Sequence, residues 1–463
     1  MSNTQSTAAG RIKALLDANS FIEIGAGVKA RSTDFGLSAK SLPGDGVVTG
    51  YGTVEGNLVY VYSQDASVLG GSIGEMHARK ICRVYELAQK MGAPVVGFLD
   101  STGVRIEESV DALDALGAIY RNLVAGSGVV PQIAVVAGPC GGGLSFIPAL
   151  SDFVFMTDKA ALSVNAPNAI EGSSKDVLDV SSAQYQAEKG NVDVCGTEAE
   201  VMESLRQLLG LLPANNADEG EVLPCADDLN RTCGALSSLT EDAAEMIRVV
   251  ADDGVFFETK KACGKNMVTG FIRLAGETVG VVANRGKKDV ICGTCAKKAA
   301  DFIRFCDAFD VPVLTFANVA GFARKEKNED ILPKAAARLL SAYANATVPK
   351  VTVVTKTALG SAGILMGSRA AGADVVFAWE NAKIGAMDAK AAGKILAAGQ
   401  DAAAMRKAAA SYEELQNSSA SAAARGCVDT IISEADTRKF VIGAFEMLYS
   451  KREERPDKKH GTI

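Results

Sequence analysis

Two glycine-rich segments stand where backbone groups could do chemistry. The segments GPCGGG (138–143) and ALGSAG (358–363) each follow an apolar run and precede small and apolar residues. This pattern predicts a buried strand, a turn and the start of a helix. Backbone N–H groups at a helix start have no acceptor within the helix, and glycine lets a ligand come close, so such turns can stabilise an oxyanion. The alternative is close packing of helix on strand.

A second glycine loop accompanies each segment. Gly103 lies in DSTGVRIEE and Gly321 in ANVAGFARK, and each follows another predicted buried strand. Loops at adjacent strand ends can together form an oxyanion hole. Neither glycine segment has the GxGxxG spacing of a dinucleotide site or the Gly-Lys-Ser/Thr ending of a triphosphate site. We therefore do not predict a nucleotide-triphosphate site.

Side chains that commonly carry catalysis are scarce. The chain has two histidines, His77 and His460, which excludes most metal centres and nearly all Ser/His or Cys/His nucleophilic machinery. Ten cysteines are scattered along it, and Cys292 and Cys295 form the only CxxC. A structural zinc site would want a second pair of ligands. We expect packed, free thiols rather than disulfides, and no metal on this chain.

The elements that must position these glycines occur twice. The offset that places Lys80 on Lys298 also places Gly103 on Gly321, and a slightly larger offset places Asp152 on Asp374. Strands alternate with helices in both copies, which predicts an α/β fold with parallel sheets. A period this long indicates a duplicated domain. We expect an N-terminal domain over 1–215, a linker over 216–240 and a C-terminal domain over 241–463.

Composition narrows the function classes. The formal charge of −7 gives no general footprint for nucleic acid or an anionic membrane. The first residues lack the apolar core of a secretory signal, and no apolar run is long enough for a membrane span, so we expect neither feature. We expect a cytoplasmic protein without direct membrane insertion.

Several long segments resemble one known family. They include SQDASVLGGSIGEMHARKICRVYELAQKMGAPVVGFLDSTGVRIEE, VVPQIAVVAGPCGGGLSFIPALSDFVFM and ATVPKVTVVTKTALGSAGILMGS. The chain resembles the carboxyltransferase subunit of biotin-dependent acyl-CoA carboxylases and decarboxylases over most of its length. The resemblance implies two tandem crotonase-like (ClpP/crotonase) domains and a homo-oligomer, either a dimer or a trimer of dimers. It also implies that the N domain of one subunit holds the acyl-CoA and the C domain of its partner receives carboxybiotin.

The resemblance implies a mechanism without a side-chain base. The biotin ureido nitrogen takes the α-proton, and the resulting enolate attacks the released carboxyl group. Negative charge then develops on the thioester oxygen and on the ureido oxygen, which calls for two oxyanion holes. By position, Gly142 and Gly143 match the first hole, and Ser361 and Ala362 match the second. The expected substrate-binding residues are Gly103, Gly141, Gly321, Gly360 and Ile364.

The implied partners lie on other chains. This chain lacks the Ala-Met-Lys-Met biotinylation signature and the ATP-grasp machinery. A biotin carboxyl carrier protein and a biotin carboxylase subunit, or a membrane decarboxylase subunit, are therefore expected partners. The expected substrate is a short-chain acyl-CoA such as propionyl-CoA or acetyl-CoA, and Ile364 does not decide between them.

The chain also departs from the family pattern. Thr102 and Ser361 stand where glycine is usual in the family. The segment 328–340 also differs from the sequence that is typical of the family. Three alternatives follow: a sodium-pumping methylmalonyl-CoA or glutaconyl-CoA decarboxylase, a non-catalytic scaffold subunit, and a crotonase-type hydratase or isomerase. The last would need a carboxylate, for which Glu107 and Glu108 are candidates.

Overall fold

A computed structural model describes residues 7–31, 35–36, 42, 44–171, 179–218, 220, 222–285 and 289–456. The chain forms two compact units, Met1–Glu219 and Gly220–Ile463. The boundary falls within the predicted linker, 216–240. Part of that segment packs into the second unit, because Cys233 and Leu236 belong to its buried core. The ending of the basic tail, 457–463, lies outside the described residues.

The first unit is a mixed sheet with helices. Its strands are β1 (Ile22–Glu23), β2 (Val47–Val54), β3 (Asn57–Gln64), β4 (Val95–Ser101), β5 (Gln132–Gly141), β6 (Phe153–Thr157), β7 (Ala161–Ser163) and β8 (Val194–Gly196). Its helices are α1 (Thr7–Leu15), α2 (Glu75–Met91), α3 (Ser109–Gly126), α4 (Phe146–Leu150), α5 (Ala183–Lys189) and α6 (Glu198–Leu209). The strand order is β1-β2-β3-β4-β5-β6-β8, with β7 paired to the far end of β5. Pairing is antiparallel up to β3 and parallel beyond it.

The second unit repeats this arrangement. Its strands are β9 (Phe256–Thr259), β10 (Met267–Leu274), β11 (Glu277–Asn284), β12 (Val290–Ile291), β13 (Val313–Val319), β14 (Gly321–Phe322), β15 (Lys350–Leu359), β16 (Val375–Trp379), β17 (Lys383–Gly385) and β18 (Thr430–Ile432). Its helices are α7 (Ala243–Val250), α8 (Gly293–Ala308), α9 (Glu326–Glu329), α10 (Leu332–Asn345), α11 (Gly360–Leu365), α12 (Ala389–Leu396), α13 (Ala402–Tyr412), α14 (Ser419–Ala424) and α15 (Thr437–Leu448). The strand order is β9-β10-β11-β13-β15-β16-β18, with β17 paired to β15, and β12 and β14 form a separate pair.

The two sheets correspond strand by strand. Strands β4 and β13, and likewise β5 and β15, are related by one offset in residue number at both of their ends. Strands β6 and β16, and β7 and β17, share a second, slightly larger offset. The predicted duplication is therefore confirmed at the level of individual strands. Strands β4 and β13 are buried at every position, as expected for central strands covered on both faces.

A buried lysine occupies equivalent positions in the two units. Lys80 on α2 is 4% exposed and donates to the carbonyl oxygens of Gly44 and Val47. Lys298 on α8 is also 4% exposed and donates to the carbonyl oxygens of Lys260, Cys263 and Met267. Each ammonium group thus connects its helix to the segment that leads into the β-hairpin of the same unit. Lys80 is therefore buried and is not part of the basic, solvent-facing side of α2.

One boundary expected from the sequence needs correction. The glycine-rich turn was expected to begin at Gly138, but β5 continues to Gly141 because β7 pairs with Pro139–Gly141. The third helix, α3, begins at Ser109, after a short 3-10 turn at Ile106–Glu108. The stretch 402–424 forms α13 and α14 joined by a π-helical turn.

The expectation of free thiols is wrong for one pair of cysteines. Cys292 and Cys295 form a disulfide, whereas the other eight cysteines, all among the described residues, form none.

A buried histidine connects the second strand of the hairpin to α2. The Nδ1 atom of His77 lies 2.9 Å from the carbonyl oxygen of Asp45, and Nε2 lies 3.2 Å from Nε2 of Gln64. Gln64 uses its Oε1 to accept the N–H of Asp100, so its amide nitrogen donates to His77. His77 is then the neutral tautomer with its proton on Nδ1. Burial lowers the pKa of His77 to about 3.

Protonation of His77 should make the fold less stable in mild acid. The unfolded chain protonates this group near pH 6.5 and the folded protein near pH 3, so stability falls as the pH is lowered between these values. The slope due to His77 is at most about 1.4 kcal/mol per pH unit. In H77Q, urea midpoints measured from pH 7 to pH 5 should fall less steeply than in the unsubstituted protein. Parallel pH profiles for the two proteins would contradict this assignment.

Candidate active site

The candidate site of the first unit begins at a bulge in the sheet. The pairing of β4 with β5 shifts register between Leu99 and Ser101, where Ser101 is opposite Cys140. The pairing of β13 with β15 shifts at the equivalent point of the second unit. Both bulges lie at the ends of the strands that precede the glycine loops. Gly103 and Gly142 therefore each lie two residues beyond a paired position at one edge of the sheet.

The first glycine turn starts at a left-handed residue. Gly142 has φ of +61°, and no heavy atom lies within 4 Å of where its Cβ would be. It opens the helical turn Gly142–Ser145, which leads directly into α4. The N–H groups of Gly142 and Gly143 stand at the first two positions of that turn, where an N–H has no acceptor within the helix. Gly141 and Gly142 are exposed, and Gly143 is half-buried.

Side chains fix the carbonyl groups of this turn. The Tyr120 hydroxyl donates to the carbonyl oxygen of Gly143 at 2.6 Å, and the Ser145 hydroxyl donates to that of Gly142 at 2.6 Å. A Cβ at Gly143 would lie 2.8 Å from the Tyr120 hydroxyl oxygen. The carbonyl oxygen of Gly142 shares its peptide plane with the N–H of Gly143, so the Ser145 contact sets the direction of that N–H before any ligand arrives.

Gly138 in the same segment has a packing role. A Cβ at Gly138 would lie 2.0 Å from Oδ1 of Asp100. The Asp100 carboxylate is held in place by Arg11, whose Nη1 donates to Oδ2 at 2.8 Å. Close packing, the alternative to an oxyanion turn, is therefore the correct interpretation for Gly138.

The Gly103 loop offers open space beside the turn. Gly103 has φ of +108°, and nothing lies within 4 Å of its Cβ position. Its N–H donates to the Ser101 hydroxyl at 3.1 Å, and its carbonyl oxygen accepts the N–H of Ile73. Thr102 is exposed, and its side chain lies 3.0 Å from the Cβ position of Gly70. The threonine thus stands at the rim of the loop, where the family pattern has glycine.

The second glycine turn has the same backbone geometry. Gly360 has φ of +59° and begins α11. Ser361 is exposed and Ala362 is buried, and their N–H groups occupy the first turn of the helix. Ile364 is 42% exposed on the same short helix. Gly321 lies in β14, with nothing within 4 Å of its Cβ position.

A buried ion cluster supports the loops of the first site. Arg105 donates through Nη1 to Asp45 and to Glu108, at 2.7 Å from Oε1 of Glu108, and both side chains of the Arg105–Glu108 pair are fully buried. The other oxygen of Glu108 accepts the N–H of Glu75. Burial raises the pKa of Asp45, while Arg105 acts in the opposite direction. Glu108 is therefore engaged in holding the loop, which removes one of the two carboxylates that a hydratase could use.

Two exposed arginines on α2 are also engaged in ion pairs. Arg79 pairs with Glu75 at 2.7 Å and Arg83 pairs with Glu86 at 3.2 Å, both on the exposed side of α2.

Among the described residues, no group of three or more His, Cys, Asp and Glu side chains could hold a metal ion. Within the same residues, no helix has the length and apolarity needed to cross a membrane. At the first turn, the N–H groups of Gly142 and Gly143 can stabilise negative charge.

Comparison with known proteins assigns the family. The model of the carboxyl transferase domain matches residues 1–463. The chain belongs to the carboxyl transferase domain family. The predictions of an acyl-CoA carboxyltransferase and of two crotonase-like domains are confirmed by this match and by the relatives described next.

The relatives of this carboxyl transferase include both carboxylases and decarboxylases. The propionyl-CoA carboxylase beta chain of Roseobacter denitrificans is 40% identical, over 99% of this chain and 93% of its own length. The methylmalonyl-CoA decarboxylase subunit alpha of Veillonella parvula is 41% identical, over 99% of this chain and 92% of its own. The crystal structure of transcarboxylase 12S, described as a hexamer with hydrolysed methylmalonyl-coenzyme A bound, has a TM-score of 0.94 at 37% identity and covers 99% and 92% of the two chains.

Three features of the site escaped the sequence. Strands β7 and β17 have three residues each, too few for a periodic signal. Tyr120 is 23 residues from the carbonyl oxygen that it holds, and nothing local to it indicates that contact. Arg105 and Glu108 have i,i+3 spacing, which is a weak signal for a pair, but Asp45 is far from both in sequence.

The left-handed backbone at Gly142 predicts a specific cost for alanine. The replacement G142A has room for its methyl group, yet φ of +61° should cost about 1–2 kcal/mol. The matched control is G117A, at an exposed position inside α3 with equal room, which should gain about 0.5–1 kcal/mol. Urea unfolding of the two variants should shift midpoints in opposite directions. Equal midpoint shifts for the two variants would show that the left-handed φ of Gly142 does not determine the cost of alanine at this position.

Proposed function

We propose that this chain transfers a carboxyl group between biotin on a separate carrier protein and the α-carbon of a short-chain acyl-CoA such as propionyl-CoA or acetyl-CoA. The observation that carries the proposal is the pair of equivalent glycine turns, with φ of +61° at Gly142 and +59° at Gly360, in a carboxyl transferase chain. Two turns of one geometry suit a reaction in which two oxygens gain negative charge.

The first turn is assigned to the acyl-CoA. When the α-carbon loses its proton, negative charge moves to the thioester oxygen. The N–H groups of Gly142 and Gly143 donate to that oxygen, and the hydrogen bonds strengthen as the charge grows. Tyr120 and Ser145 hold the turn, so little reorganisation is needed at that moment. The exposed surface of Gly141 and the open space beside Gly103 admit the thioester.

The residues of the second turn fit biotin. Gly360 and Ser361 are accessible, Gly321 has open space beside it, and Ile364 presents an apolar side chain to solvent. When bound, biotin supplies the carboxyl group and a ureido nitrogen that accepts the α-proton. The N–H groups of Ser361 and Ala362 would hold its ureido oxygen, and Ile364 would contact an apolar part of the ligands. The proposed division of roles is thus acyl-CoA on the first unit and biotin on the second unit of a partner subunit.

The proposed partners follow from the same division of labour. The carboxyl group must be loaded onto biotin elsewhere, by a biotin carboxylase subunit, and delivered on a biotin carboxyl carrier protein. The relatives are named as subunits of carboxylases, a decarboxylase and a transcarboxylase, which supports a multi-chain assembly. A homo-oligomer, a dimer or a trimer of dimers, is proposed because the transcarboxylase 12S structure is described as a hexamer.

A decarboxylase is the second candidate function. The relatives at 41% and 38% identity from Veillonella parvula and Propionigenium modestum are named methylmalonyl-CoA decarboxylase subunit alpha. In that case the same site would run the transfer from the carboxylated thioester to biotin, and the partner would be a membrane decarboxylase subunit. The two turns serve both directions, since a catalyst lowers the barrier of the forward and the reverse step alike.

Carboxyl exchange with free biotin tests the function in either direction. The purified chain, incubated with methylmalonyl-CoA and free biotin, should form propionyl-CoA, detected by chromatography. Malonyl-CoA and glutaconyl-CoA are tested in parallel. G142A should lower the rate about tenfold or more, because a displaced N–H donor is lost to the transition state. The control G117A should keep the rate. No exchange with any thioester by a folded oligomer would overturn the proposal and favour a scaffold subunit.

The two departures from the family pattern give a test of the division of roles. S361G should change KM for free biotin by about threefold or more and leave KM for the CoA thioester unchanged. T102G, at the departure in the first unit, should change KM for the thioester and leave that for biotin unchanged. If both variants altered the same KM, the assignment of one ligand to each unit would be wrong.

A further inference from the structure

Cys292 and Cys295 stand apart from the other cysteines. They form the only disulfide among the described residues, which include all ten cysteines. Cys292 is partly exposed, whereas Cys295 is 1% exposed. One sulfur of the pair is therefore open to attack from solvent and the other is shielded. No step of the proposed carboxyl transfer uses either residue.

The backbone around the pair favours different forms of the two sulfurs once the bond is open. Cys292 is the N-cap of α8, and its Sγ accepts the N–H of Cys295 at 3.2 Å. A thiolate at Cys292 would thus be held by a backbone donor at the start of a long helix. The Sγ of Cys295 lies 3.8 Å from the carbonyl oxygen of Gly264, which can accept its S–H. Once the bond is open, these contacts favour a thiolate at Cys292 over a thiolate at Cys295.

A cleft gives access to the pair. It has a volume of about 450 Å³ and is lined by both cysteines and by Lys265, Lys325 and Lys327. Among the described residues that line it, none is acidic. Lysine charge near a sulfur stabilises the thiolate as a nucleophile and as a leaving group. The cleft is also large enough for a small thiol reagent to reach Cys292.

We propose that Cys292 and Cys295 form a thiol–disulfide exchange site for small dithiols and disulfides, in which Cys292 is the sulfur that reacts first. A thiolate of the dithiol forms a bond to Sγ of Cys292, and the bond from Cys292 to Cys295 breaks. Cys295 leaves with the electron pair and takes up a proton. The second thiol of the reagent, as its thiolate, then attacks the reagent sulfur that is bonded to Cys292. This closes the disulfide of the reagent and releases Cys292 with the electron pair of the broken bond.

The dithiol and the protein cysteine pair together account for all electrons and protons of the exchange. The dithiol gives two electrons and two protons and becomes a disulfide, while the protein pair becomes two thiols. Reoxidation by a small disulfide runs through the same mixed disulfide at Cys292. The site does not depend on carboxyl transfer, so its test uses no enzyme assay.

The first test uses the unsubstituted chain in its folded state. Dithiothreitol is added or omitted, N-ethylmaleimide then blocks accessible thiols, and the tryptic peptide 289–297, which contains both cysteines, is analysed by mass spectrometry. The peptide should carry no label without dithiothreitol. After reduction, label should appear on Cys292 at least about tenfold faster than on Cys295. Labelling of both cysteines before reduction, or equal rates after it, would overturn the proposal.

The second test traps the intermediate. C295S and C292S are compared in a background that carries C195S and C427S, which removes two exposed thiols. With oxidised glutathione, C295S should gain one glutathione at position 292, whereas C292S should gain none at position 295. Circular dichroism checks that both variants are folded. Equal reaction of the two variants would overturn the assignment of Cys292, and no reaction of a folded C295S would overturn the exchange site itself.

Discussion

The structure depends on one backbone constraint. The chain must turn at the end of a strand that extends beyond the main sheet. Strand β5 continues past the main sheet because β7 pairs with its last three residues, and β15 does the same with β17. At that point only a left-handed residue brings the next N–H groups to the sheet edge. Gly142 and Gly360 supply it with nearly equal φ angles. The bulges and the Tyr120 contact then set the surroundings of a turn that is already formed.

Ionisable groups serve mainly to hold this backbone in place. Lys80 and Lys298 bind carbonyl oxygens in front of the hairpins, Arg105 joins two buried carboxylates, and His77 is kept neutral between an amide and a carbonyl group. Such groups are costly to bury unless their hydrogen bonds are satisfied, and here they are satisfied by backbone or by each other. Under the proposed function, a protein with two histidines can work in this way because the substrates bring their own proton acceptor.

The sequence predicted the strands and loops that have a local pattern or that recur in both copies. The constant register between the two copies located β4, β5 and their counterparts, since buried strands and glycine loops recur in both. It misplaced the start of the first turn at Gly138, because the end of β5 is set by pairing with β7, a contact that no local pattern encodes. The Ser101 hydroxyl that engages the N–H of Gly103 is equally invisible, since it depends on the bulge between the strands. The disulfide was missed because CxxC spacing serves thiols, metals and disulfides alike.

The unequal connections between the two copies record how the molecule diverged. Every strand from β2 to β8 has a counterpart of equal length in the main sheet of the second unit, so the changes in chain length since the duplication fell between strands. The longest addition follows β17, where the second unit places α12, α13 and α14 before its last strand. The ancestral gene could therefore extend the surroundings of one copy without altering the hydrogen-bonded frame that both descendants inherited. One scaffold could in this way come to carry two equivalent turns in different surroundings.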